Sequence, residues 1–95
     1  MDKHTSNLHF AAAQIDELIL RTSGARCGYR VMDDEYIAAL PYPQLVRDNN
    51  GNPLIPGDRY MIITCANGYR YHVNISGDSV LTACAEVFQF ISGKL

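Results

Sequence analysis

The chain has no C-x-x-C pair, no basic excess and no long apolar run, and each absence removes a class of function. Its cysteines, Cys27, Cys65 and Cys84, are odd in number and widely spaced. A secreted disulfide framework wants an even set. Met1 to Phe10 carries Asp2, Lys3 and His4 in place of the apolar core of a signal peptide. No apolar run approaches the ~18 residues that span a bilayer. The expectation is a reduced, cytoplasmic protein that does not enter the membrane. The formal net charge is -2, whereas a dedicated nucleic-acid binder draws its affinity from a basic excess. Nucleic acid is therefore a disfavoured partner.

Cofactor and metal signatures are missing too. There is no G-x-x-x-x-G-K and no G-x-G-x-x-G, and Gly93-Lys94 reads as a helix end. His4, His9 and His72 show neither H-x-x-x-H nor H-E-x-x-H spacing. Asp48, Asn50 and Asn52 match the opening of a calcium loop, but Pro53 and Arg59 stand where its glycine and glutamate belong. Those residues read as a turn. Asp33, Asp34 and Glu35 read as solvated carboxylates, and Asp16 and Glu17 as the wet side of a helix. No cofactor, metal or catalytic residue is assigned. With no repeat, linker or low-complexity tract, residues 1–95 form one domain.

What is present is an α+β pattern. Thr5 to Ser23 carries Leu8, Ala11, Ala12, Ile15, Leu18 and Ile19 at helical spacing, with Phe10 and Leu20 off the stripe. Thr5, Ser6 or Asn7 caps it, and Gly24 suits the left-handed residue past its end. Gly28 to Met32 reads as a strand. Residues 33–40 read as a returning strand, Glu35 to Ala39, in preference to a short helix capped by Asp33. Gln44 to Arg47 and Pro53 to Ile55 suggest an edge hairpin, and Pro56-Gly57-Asp58 a turn. Gly77 to Gly93 is a second helix, capped by Asp78 or Ser76, with Val80, Leu81, Cys84, Val87, Phe88 and Ile91 as its buried stripe.

Asn67-Gly68 sits between two strand-like runs, a strong hairpin signal. A two-residue loop there faces Ala66 with Tyr69, Thr64 with Tyr71, Ile62 with Val73 and Tyr60 with Ile75. Those eight would face the helices. Met61, Ile63 and Cys65 would share the outer face with Arg70, His72 and Asn74. The expected architecture is a two-layer sandwich. Its antiparallel sheet has three to five strands, and the N- and C-terminal helices pack on one face, in the order α-β-β-(β-)β-β-α.

On this register the outer face is an apolar strip with a polar rim, either a partner-binding surface or one covered by the Gln44–Ile55 region. Met61, Ile63, Cys65, Arg70, His72 and Asn74 are its candidate residues, with Tyr42, set between two prolines, expected to protrude. The expected function is a small non-enzymatic interaction or regulatory module with a protein partner or a second copy of itself. Adaptors, binding inhibitors and phage or mobile-element accessory proteins share that size, an association and not a physical inference. One alternative is a cysteine enzyme with Cys65 as nucleophile, His72 as base and Arg70 lowering the thiol pKa. Another is single-stranded nucleic-acid binding by interleaved tyrosines and arginines. The bland reading puts Tyr60, Tyr69 and Tyr71 at the core margin.

Overall fold

A computed structural model describes residues 2–95 as three helices and one three-stranded antiparallel sheet. Helix α1 (Lys3–Ser23) is followed by strand β1 (Arg26–Val31) and helix α2 (Asp34–Ala38). A 3-10 turn (Pro43–Leu45), strands β2 (Arg59–Thr64) and β3 (Arg70–Asn74), and helix α3 (Val80–Ile91) complete it. The sheet order is β1-β2-β3, and α1 and α3 pack together and against the sheet. The expected α+β class and helix placement hold.

Helix α1 starts earlier than expected, because Asp2 accepts the Thr5 N–H at 2.7 Å and so takes the capping role assigned to Thr5, Ser6 or Asn7. Gly24 closes it in the left-handed region as expected, at φ 72°. In α3 the cap is Ser79, not Asp78 or Ser76; its hydroxyl accepts the Thr82 N–H.

The main correction concerns the hairpin. The Cys65 N–H donates to the Tyr69 carbonyl and the Gly68 N–H to the Cys65 carbonyl. The loop is therefore Ala66-Asn67-Gly68, three residues long. Gly68 alone in it takes a positive φ, 90°, whereas a type I′ turn needs one at Asn67 as well. The extra residue shifts the register by one. Tyr60 now faces Asn74, Met61 Val73, Ile62 His72, Ile63 Tyr71 and Thr64 Arg70. Because strand side chains alternate, β2 turns over relative to expectation while β3 does not. The new sorting is cleaner: Met61 and Ile63 join Tyr71 and Val73 inside, and Tyr60, Ile62 and Thr64 join Arg70, His72 and Asn74 outside.

The core lies between that inner face and the helices. Leu8, Ala11, Ala12, Ile15 and Ile19 of α1 meet Ala83, Val87 and Ile91 of α3 over Met61, Ile63, Val73 and Ile75. Each large apolar side chain buried there contributes about 1.5–3 kcal/mol. Leu18, Leu81 and Phe88, expected inside, are exposed.

Residues 33–40 hold a short helix, Asp34–Ala38, not a returning strand. Asp33 accepts the Tyr36 N–H at 2.7 Å and nucleates α2, and β1 pairs instead with β2. Nor do Gln44–Arg47 and Pro53–Ile55 form an edge hairpin. Asp48 holds that stretch as a loop, its Oδ1 accepting the N–H groups of Asn50 and Asn52. The prolines at 41, 43, 53 and 56 cannot donate to a ladder, which favours this outcome. The segment from Met32 to Asp58 lies over part of the outer sheet face. It buries Met32, Leu40, Tyr60 and His72, and the Tyr60 hydroxyl accepts the Ile55 N–H.

Candidate functional site

Capping at Asp33 sets the position of Tyr36. Its hydroxyl lies 2.9 Å from His72 Nε2, with the two rings edge to face. Arg70 donates to the same oxygen at 3.3 Å. The Arg30 guanidinium sits 4.7 Å from the Tyr36 ring centroid, a cation–π contact, and is held by Asp33 at 3.0 Å. His72 is buried, and its Nδ1 has no hydrogen-bond partner. Burial, with the Arg70 charge adding to it and Asp48 opposing, pushes the imidazole pKa down to about 4. His72 is therefore neutral at neutral pH.

Beside this cluster runs a cleft of about 560 Å³ between residues 39–47 and the start of β3. Leu40, Pro41, Leu45 and Val46 supply an apolar wall, and Tyr42, Tyr69, Arg47, Arg70 and His72 line the rest. Tyr42 protrudes as expected, 71% exposed. It is the only non-glycine residue with positive φ among those described. Pro43 disfavours the ordinary helical region for the residue before it. Holding a tyrosine left-handed costs on the order of 1–2 kcal/mol, a form of strain that recurs at functional sites.

The cleft also contains an open strand edge. The His72 carbonyl accepts the Asn49 N–H, and the Asn74 N–H donates to Asn49 Oδ1. Those groups point away from β2, so by the two-residue alternation the N–H and C=O of Arg70 and the N–H of His72 do as well. Among the described residues these three groups have no backbone partner. Asn49 closes the edge at one end and leaves it open beside Tyr42, Leu45 and Tyr69.

No family model, curated protein or solved structure matches the chain.

Of the residues expected on the outer face, Met61 and Ile63 are 0% exposed and belong to the core. Cys65 also lies on the helix side of the sheet, near Ser23, Tyr71 and Lys94. Cys65 and His72 thus face opposite ways, and the nucleophile–base pair is not assembled. Arg70, His72 and Asn74 are outside as expected. Asn74 is committed to structure, its Nδ2 donating to Asp58 and Tyr60. Tyr36, Leu45, Arg47 and Tyr69 were missed as site residues. The D-x-x-Y cap at 33–36 is the sequence signal that points to Tyr36, and Pro41-Tyr42-Pro43, already read as protruding, points to the neighbourhood of Leu45. Among the described residues no group of three or more His, Cys, Asp or Glu is placed to hold a metal ion, and no helix is long and apolar enough to cross a membrane.

Proposed function

We propose that the chain is a non-enzymatic protein-interaction module that captures an extended peptide along the open edge of β3. The observation that carries this reading is the unpaired Arg70–His72 edge inside an apolar-walled cleft. Exposed strand edges recruit other strands, and native proteins usually blunt them. Here the far end is blunted by Asn49 and the near end is not. Strand addition draws affinity from main-chain bonds and specificity from alternate side chains, and the cleft offers both. A photo-reactive benzoylphenylalanine in place of Tyr42 should trap the partner, and Leu45→Asp should abolish capture. Retention of the same partner by a folded Leu45→Asp chain would refute the reading.

Self-association is a second reading, with its own observation. Phe10, Leu18 and Phe88 line an open groove of about 650 Å³ between α1 and α3, and Leu81 is 80% exposed on α3. Contiguous apolar surface of this kind marks interaction sites. Sedimentation of wild type beside Phe10→Glu tests it; a wild type that stays monomeric at 100 μM, taken as roughly the weak-dimer range, removes this reading.

A further inference from the structure

Resting on the strand-addition reading, we infer that the segment captured at β3 is acidic: an extended peptide of a partner protein whose carboxylates meet Arg47 and Arg70. The open edge is short, offering the N–H and C=O of Arg70 and the N–H of His72 before Asn49 closes the ladder. Each such bond replaces one to water and adds little net, so three main-chain groups cannot select a partner unaided. Side-chain complementarity must supply the rest.

The charge of the cleft says which side chains. Arg47 and Arg70 line it, and no Asp or Glu does. This is a local departure in a chain whose net charge is -2. The three ion pairs of the described residues use Arg21, Arg26 and Arg30, so neither cleft arginine has a carboxylate partner. Arg47 is also held in place. Its Nη1 donates to the carbonyls of Gln44 and Val46 at 3.0 and 2.9 Å, leaving Nε and Nη2 for a ligand. A guanidinium fixed in this way presents planar donors matched to a carboxylate and loses little entropy on binding one. Arg70 uses Nη1 on Tyr36, and its own backbone groups lie on the open edge. One residue thus offers main-chain bonds and a positive charge to the same segment. Neutral His72 adds no cation, and its pairing with Tyr36 helps to order the Arg70 contact. The exposed Tyr42 and Leu45 call for apolar side chains on the ligand as well. A polyanion without backbone amides would meet the arginines but not the strand edge.

The test is selection of a phage-displayed library of random decapeptides against the whole chain. Enriched sequences should be rich in Asp and Glu interspersed with apolar residues. A selected peptide should bind about tenfold more weakly to Arg70→Glu, which loses a charge-assisted contact and gains a repulsion. It should slow hydrogen exchange at the Arg70 and His72 amides, and N-methylation should block binding at alternate positions only. Enriched peptides without acidic residues that still protect those amides would overturn the acidic assignment and leave strand addition standing. No enrichment, or binding that leaves those amides unprotected, would overturn both. Equal affinity for Arg70→Glu and wild type would also overturn the acidic assignment.

Discussion

Neighbouring isoleucines on β2 provide a direct measurement of the register. Ile63 is fully buried in the core between the sheet and the helices, while Ile62 faces outward opposite His72 and is only partly covered. Truncating Ile63 to alanine removes buried methyl and methylene groups from a site closed on all sides. Such changes cost about 2–5 kcal/mol, the transfer loss plus the cavity. Ile62→Ala leaves no enclosed void and should cost about 1 kcal/mol. For a domain this size each kcal/mol lowers Tm by roughly 4–8 °C. A mid-range loss of about 3 kcal/mol at Ile63 therefore predicts a drop of roughly 12–24 °C, against less than about 8 °C at Ile62. Thermal melts and urea titrations of the two variants, followed by circular dichroism, read this difference. Aspartate sharpens it. Ile63→Asp buries an unpaired carboxylate, which with total stability of about 5–15 kcal/mol should leave little folded protein. Ile62→Asp sits near Arg30 and Arg70 on a wet face and should fold. Equal losses at the two positions, or a larger loss at Ile62, would restore the two-residue turn and refute the observed register.

Other outcomes follow from single contacts. Gly68→Ala forces a side chain into φ 90° and should destabilise by about 1 kcal/mol, whereas Asn67→Ala, which loses an acceptor for the Tyr69 N–H, should cost less, as paired urea midpoints would show. His72 should make stability fall with acid. Its folded pKa, about 4, lies below the unfolded value near 6.5, so the unfolded chain takes up the proton first. Stability is whole above about pH 6.5 and declines from there towards about pH 4. His72→Gln should flatten that part of the urea midpoint profile, and an unchanged slope would count against the buried neutral imidazole. Burial, with Asp16 adding to it, pushes the Cys27 thiol up to about 12, so mass spectrometry after iodoacetamide treatment at pH 8 should find Cys27 the slowest of the three cysteines to alkylate.

Residues with local jobs were legible from the start. The α1 stripe of Leu8, Ala11, Ala12, Ile15 and Ile19 is buried because a period of 3.6 aligns those positions whatever the rest of the chain does. Gly24 ends that helix, and the turn before β2 falls at Pro56-Gly57-Asp58, for equally local reasons. The hairpin itself was visible, but its register was not. Asn-Gly satisfies a two-residue loop and, with Ala66 added, a three-residue loop that needs only Gly68 left-handed. Local turn chemistry therefore favoured one answer and core burial selected the other. Comparing faces would have helped, since only the observed register gathers Met61, Ile63, Tyr71 and Val73 on one side.

The cleft was less accessible still. It exists because α2 and the loop behind it fold over a sheet face set by residues far along the chain. Tyr36 meets His72 across a separation of 36 residues, and Asn49 meets Asn74 across 25. No periodicity encodes such contacts. The sequence by itself determined the first and last helices, the hairpin and the α+β class, because each depends on neighbours within a turn or a pleat. Only the tertiary structure decided which side of β2 is core, what covers the other side, and that the edge at Arg70 is left open. Those outcomes depend on burial shared among distant segments.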